Sequence, residues 1–282
     1  MINELYKLWR EKATADPDLI AELKEIEGND ELISDAFYTS LEFGTAGLRG
    51  VIGAGTNRMN IYTVGQASQG LADYVNSIAE NGTVAIAYDS RIKSDVFART
   101  AASVFAANGI KVYIYKELVP TPMLSFAVRR LKCDAGVVIT ASHNPSKYNG
   151  YKAYGADGAQ LGPEAADYVL SKMNEVDMFS GIKFEDYDEA LKNGKIEYIG
   201  QDIVNEYLDC VEAQRIEPDT DLSSLKVVYT PLNGAGNKPV REILKRLGIT
   251  QVSLFLNRKC PMATSPPVLI PTPKSAKLSN VL

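Results

Sequence analysis

Residues 135–145, Ala-Gly-Val-Val-Ile-Thr-Ala-Ser-His-Asn-Pro, decide the reading of this chain. The apolar run Ala135–Ile139 has the length and character of a buried strand. It leads into a polar loop carrying Ser142 beside the only histidine, His143. A serine at such a junction can present its hydroxyl to a cleft and carry a transferable group, if something activates it. Lys152 lies ten residues on and could handle a proton. Taken alone, Ser-His-Asn-Pro is equally a polar turn in which Asn144-Pro145 starts a loop.

Helical and strand patterns alternate on either side. Helical periodicity covers 63–78, 96–108 and 121–131, and short apolar strands cover 84–88 and 111–115. Such alternation predicts an α/β fold whose mixed, mainly parallel sheet is sandwiched by helices. Ligands gather at the carboxyl ends of strands in such sheets. Ser142 and the segment Asp89–Arg91 both lie just past predicted strand ends, so one cleft is expected to hold them. Helices are also predicted at 2–13, 17–27, 30–41, 163–174 and 202–215. Leu5, Leu8 and Trp9 should share one buried face, and Leu19, Ile20, Leu23 and Ile26 another. Residues 177–198 are charged, weakly periodic, and read as a connection. A strand at 225–229, the turn Pro231–Gly236 and a helix at 239–247 open a second α/β unit. The glycines of that turn read as residues needing unusual backbone angles, and no nucleotide site is expected there.

The longer stretch TASHNPSKYNGYKAYGADGAQL, residues 140–161, resembles the active-serine signature of the α-D-phosphohexomutases, the phosphoglucomutase and phosphomannomutase superfamily. EFGTAGLRG, residues 42–50, resembles that family's N-terminal active-site loop, and AYDSR, residues 87–91, is a third match. The flavour is that of the phosphoglucomutase/phosphopentomutase branch. The resemblance runs to about residue 250. It implies domain 1 over residues 1–198 and part of domain 2 over 199–253.

Residues 254–282 form a proline-dense tail without a readable period. Reading each codon's third base with the first two bases of the next permits, under suitable synonymous codons, PEMPDGNFTTCPYPNPEIRQALE. That string looks like the family's own continuation, so a frame slip near residues 251–254 is expected.

The resemblance also implies an activity. Glucose 1-phosphate and glucose 6-phosphate would be interconverted through a phosphoserine and a bisphosphate intermediate, with Mg²⁺ and glucose 1,6-bisphosphate as cofactors. Ser142 would carry the phosphoryl group and, through it, the metal. His143, Lys152 and Arg49 would be catalytic, Lys152 as general acid/base. Thr45, Gly47, Arg49, Asn144 and Arg91 would bind substrate or phosphate. The family's aspartate-rich metal loop does not occur, and neither Asp89 nor Asp157 replaces it. Little turnover is therefore expected from this chain alone. A phosphopentomutase, a phosphomannomutase and a non-catalytic phosphosugar-binding remnant are the alternative readings.

Bulk properties bound the rest. The 282 residues carry a net charge of −5, which argues against a nucleic-acid partner. No segment has the ~18 apolar residues of a membrane span, and the N-terminus lacks a signal-peptide core. Cys133, Cys210 and Cys260 have no metal or disulfide spacing, which fits the cytoplasm. A serine hydrolase is disfavoured because a histidine adjacent to its serine is badly placed to act as its base.

Overall fold

The computed structural model describes residues 2–45 and 47–254. The first helices are α1 (Ile2–Lys12), α2 (Pro17–Glu25) and α3 (Asp30–Phe37). Then follow β1 (Gly47–Val51), α4 (Ile61–Ile78), β2 (Thr83–Tyr88), α5 (Ser94–Ala107), β3 (Lys111–Ile114), α6 (Thr121–Arg130) and β4 (Ala135–Ile139). The chain continues through β5 (Tyr148–Gly155), α7 (Pro163–Glu175), α8 (Tyr187–Lys192), β6 (Ile196–Tyr198) and α9 (Gln201–Glu212). It ends in β7 (Lys226–Tyr229), α10 (Asn237–Arg246) and β8 (Gln251–Leu254). Residues 255–282 of the tail lie outside the described residues, and residues 251–254, near which the frame slip is expected, form β8.

Six strands form one sheet in the order β1-β5-β4-β2-β3-β6. The four strands β4, β2, β3 and β6 run parallel, and β5 and β1 add antiparallel pairings at one side. The sheet is mixed and mainly parallel, with helices on both faces. One face packs α4, α5 and α7 around Ile86, Phe97, Phe105, Val137, Tyr151 and Val169. The other packs α6 and α9 around Leu124, Val128, Val138, Tyr154 and Ile203. All five residues of β4 are buried, as a central parallel strand covered on both sides requires.

Sequence reading passed over β1 and β5. Asn149, Gly150 and Gly155 interrupt the apolar alternation that marks a strand. The glycine at 150 has a packing reason: a Cβ there would stand 2.6 Å from the Thr140 carbonyl oxygen and 2.9 Å from that of Leu48. β5 can run this close to its neighbours only without a side chain at that position. The presumed connection 177–198 contains α8 and β6, and β6 supplies the sheet's edge beside β3.

The first helices form a separate layer with its own core. Asp16 accepts from the Asp18 N–H and Pro17 opens α2, the capping that the sequence suggests. The rotation of these helices differs from expectation. Leu8 and Ile20 are 41% and 45% exposed. Trp9 is fully buried, edge-on to Phe37, Tyr62 and Phe179, and the Tyr6 hydroxyl donates to the Leu23 carbonyl at 2.7 Å. The large aromatic rings set the buried face, and Leu8 is turned outward.

α9 packs on the first sheet: Ile203 joins the second apolar cluster, and Tyr207 meets Phe126 edge-on. A division after residue 198 would cut through that cluster, so we propose the boundary within residues 213–225. Beyond it, β7 and β8 form a parallel two-stranded sheet, and α10 buries no residue. In the intervening turn the left-handed residue is Leu232, φ 52°, while neither Gly234 nor Gly236 has positive φ. The glycines there are not answering a backbone requirement.

Candidate active site

Three residues past the end of β4, Ser142 takes φ 56°, a left-handed conformation uncommon for a residue with a side chain. Such a residue persists where its surroundings hold it, and here they do. The Ser142 N–H donates to Thr140 Oγ1 at 2.9 Å, and the Thr140 hydroxyl donates to Asp89 Oδ2 at 2.6 Å. The other Asp89 oxygen accepts from the Arg91 N–H and from the Ser94 hydroxyl, both at 2.9 Å. Asn149, fully buried, donates to the Ile92 carbonyl and to Ser94 Oγ. Because β2 and β4 are parallel neighbours, Asp89 and Thr140 leave the sheet side by side, and the Asp89 N–H donates to the Ile139 carbonyl.

Arg91 lies under the loop, 4% exposed. Its Nη1 donates to the carbonyls of Pro145 (3.0 Å) and Tyr148 (2.9 Å). Its Nη2 donates to those of Ser142 (2.7 Å) and Asn144 (2.5 Å). Nε stands 3.5 Å from Asp89 Oδ2, close enough for charge attraction but without hydrogen-bond geometry. Burial lowers the Arg91 pKa and Asp89 opposes that shift, but a guanidinium stays protonated in proteins. The phosphate contact expected of Arg91 is corrected accordingly: both terminal nitrogens are committed to main-chain carbonyls beneath the loop.

Above this brace Ser142 and His143 are exposed. Ser142 Oγ and His143 Nδ1 are 3.2 Å apart, so the left-handed turn brings the adjacent imidazole to the hydroxyl despite the expectation from sequence. Arg49, exposed on β1, reaches Asn144 Oδ1 at 3.4 Å. The register pairs Arg49 with Gly150 and Gly47 with Lys152. Paired strand residues share a face, so Arg49 and Lys152 stand diagonally on one side of the sheet. Lys152 also pairs with Val138 of β4, near the strand end that delivers the serine. Thr45 lies just ahead of β1, whose first residue, Gly47, pairs with Lys152. Gly47, φ 150°, backs so closely onto Tyr151 that a Cβ would meet its carbonyl oxygen.

The structure thus brings Ser142, His143, Asn144, Arg49 and Lys152 to one corner of the sheet and places Arg91 underneath. Sequence reading assigned no role to Thr140, which links the Ser142 amide to Asp89. Its place between the strand and the serine is the only sequence signal for it.

The fit to Mg²⁺ is poor among the described residues. No group of three or more His, Cys, Asp or Glu side chains could hold a metal. Asp89, the carboxylate tied to the serine loop through Thr140, already accepts from Arg91, Ser94 and Thr140. A phosphorylated Ser142 would offer oxygens, and a divalent ion needs carboxylates besides.

A serine held in a left-handed turn at the carboxyl end of a parallel strand, with an imidazole at its hydroxyl and an arginine beneath its loop, sits where α/β domains gather their ligands. Residues 40–179 match the family model described as phosphoglucomutase/phosphomannomutase, alpha/beta/alpha domain I. A phosphoglucomutase of Staphylococcus saprophyticus is 35% identical over 95% of this chain and 48% of its own length. One from Staphylococcus haemolyticus is 38% identical over 77% of this chain and 39% of its own. A solved structure assigned as a phosphomannomutase, from Thermus thermophilus, superposes with a TM-score of 0.67 at 26% identity. That superposition covers 84% of this chain and 50% of the other. The chain belongs to the α-D-phosphohexomutase superfamily. It spans less than half the length of these two curated relatives.

Proposed function

We propose that this chain is the phosphoryl-carrying portion of a phosphoglucomutase-type enzyme, with Ser142 as the carrier. The observation behind this reading is the exposed Ser142 hydroxyl on a loop whose backbone is tied from below by Asp89, Thr140 and Arg91. Phosphoryl transfer is mostly a matter of positioning and of neutralising charge on the transferred oxygens. A rigid hydroxyl beside cationic groups serves both needs.

In the proposed reaction, phosphoserine gives its phosphoryl group to a sugar monophosphate. The Ser142 Oγ–P bond breaks as the sugar O–P bond forms, and the proton of the sugar hydroxyl passes to a base. Lys152 is the proposed proton carrier. Arg49 would place its guanidinium against the phosphate, and His143 would contact the phosphoryl group or the hydroxyl. The bisphosphate then turns over and returns its other phosphoryl group to Oγ. Mg²⁺ is the cofactor expected for such an enzyme; the described residues offer no carboxylate set for it, and no step here is routed through it. Glucose 1,6-bisphosphate is the proposed intermediate and phosphoryl donor, the cytoplasm the proposed location, and a hexose phosphate the proposed substrate. No helix among the described residues is long and apolar enough to cross a membrane.

Incubation with ³²P-labelled glucose 1,6-bisphosphate tests this. Label should stay with the denatured wild-type chain and be absent from Ser142→Ala. Equal labelling of the two proteins would reject the reading.

A further inference from the structure

Arg91 has a geometric effect that its burial alone does not suggest. A peptide unit is planar and trans, so a carbonyl turned one way turns the next residue's N–H the other way. Arg91 draws the Ser142 carbonyl down and thereby turns the His143 N–H up. It draws the Pro145 carbonyl down and does the same to the Ser146 N–H. The Asn144 carbonyl is followed by Pro145, which has no N–H. The N–H after the Tyr148 carbonyl belongs to Asn149, inside β5. His143 and Ser146 are exposed, and among the described residues neither donates its N–H to a protein acceptor.

We propose that Arg91 is a positioning residue which turns the His143 and Ser146 amides to the exposed side of the loop, where they seat the oxygens of the phosphoryl group carried by Ser142. Main-chain N–H groups gathered around a left-handed residue form an anion-binding concavity. The Arg91 charge below the loop adds positive potential to that seat. The ligand is tetrahedral phosphate, free or esterified. Lysine cannot replace this guanidinium, because a single ammonium group cannot serve four carbonyls in a fixed planar arrangement. The inference rests on the reading of Ser142 as a phosphoryl carrier.

The test is an amide NMR titration of the ¹⁵N-labelled full chain with inorganic phosphate, against chloride at matched ionic strength. Saturable shifts of the His143 and Ser146 amides are expected in the wild type. Arg91→Lys should keep a dispersed spectrum and weaken phosphate binding by about tenfold or more. Wild-type amides that ignore phosphate, or unchanged affinity in Arg91→Lys, would overturn the proposal. If the lysine variant loses dispersion, Ser146→Pro takes its place. It deletes one seat N–H on an exposed residue and leaves Arg91 in position. Weakened binding in that variant supports the seat, and unchanged affinity overturns it. Phosphate binding is read without phosphoryl transfer. Labelled Ser142 with silent amides therefore removes this inference alone, whereas responsive amides with unlabelled Ser142 remove the functional reading and reduce the seat to a site for free phosphate.

Discussion

The chain makes the same turn twice. β4 ends at Ile139 and β7 at Tyr229, and three residues later each path passes through a left-handed, non-glycine residue, Ser142 (φ 56°) or Leu232 (φ 52°). In each, that residue's N–H donates to the hydroxyl of the threonine two positions back, at 2.9 Å for Thr140 and 3.2 Å for Thr230. In each, the N–H two residues further on closes onto a carbonyl, Asn144 to Ala141 and Gly234 to Pro231. The difference lies beneath. Thr140 is anchored on Asp89, and the first loop's carbonyls converge on Arg91. Thr230 and Leu232 are exposed, and the second turn's tie to the first unit runs through the Ser90 hydroxyl to the Asn233 carbonyl. Turn geometry alone therefore does not make the site. A half-buried acid and a buried guanidinium under the turn set the serine apart.

The largest expected effect is on chemistry. Ser142→Ala should abolish phosphoryl uptake, while Leu232→Ala should leave it intact, as measured by retention of label after denaturation. Loss of uptake in both would mean that the second turn takes part in the site. Stability should separate the two strands next. Ile139 is fully buried and Val228 is 78% exposed. Ile139→Ala should cost about 2–5 kcal/mol in urea unfolding, and Val228→Ala should stay within about 0.5 kcal/mol. The threonines then probe the brace itself. Thr140→Val removes the acceptor of Ser142 and the donor to Asp89, for an expected loss of about 1–3 kcal/mol. Thr230→Val, exposed and with no partner below it among the described residues, should change stability much less.

The smallest effect is in pH dependence. Burial raises the pKa of Glu22, and the Ala54 N–H it accepts opposes the shift. Between the unfolded and folded values the folded chain holds more protons, so stability at this group falls as pH rises through that window. Asp221, just before β7, is shifted the other way, by hydrogen bonds from the Ser223 N–H and hydroxyl. Its contribution is present above the unfolded value and is lost as pH falls through the folded one. Glu22→Gln should therefore flatten the first slope and Asp221→Asn the second, as followed by urea midpoints between about pH 3 and 6, the range around ordinary carboxylate values.

Much of this contrast is legible in the sequence, and the illegible parts have physical reasons. β2, β3 and β4 are apolar runs bounded by helices with clear periodicity, so they declare themselves, whereas the parallel edge strand β6, Ile-Glu-Tyr with two exposed residues, does not. β1 and β5 do not, because close strand approach calls for glycine where alternation would otherwise show. The serine, histidine and lysine of the site are legible from their motif. The role of Arg91 is not, because nothing in AYDSR says whether a guanidinium faces solvent or four carbonyls. Only the three-dimensional return of the loop over the end of β2 decides that. The face of α1 was misread at Leu8 because an aromatic ring, with partners on three other segments, outweighs an aliphatic residue in choosing the buried side.

Peptide mapping by mass spectrometry, after exposure of the full chain to glucose 1,6-bisphosphate, tests the central claim most directly. The account predicts a single added phosphate, on the peptide containing residues 140–147 and localised to Ser142. Phosphate on another residue, or on none, would contradict it.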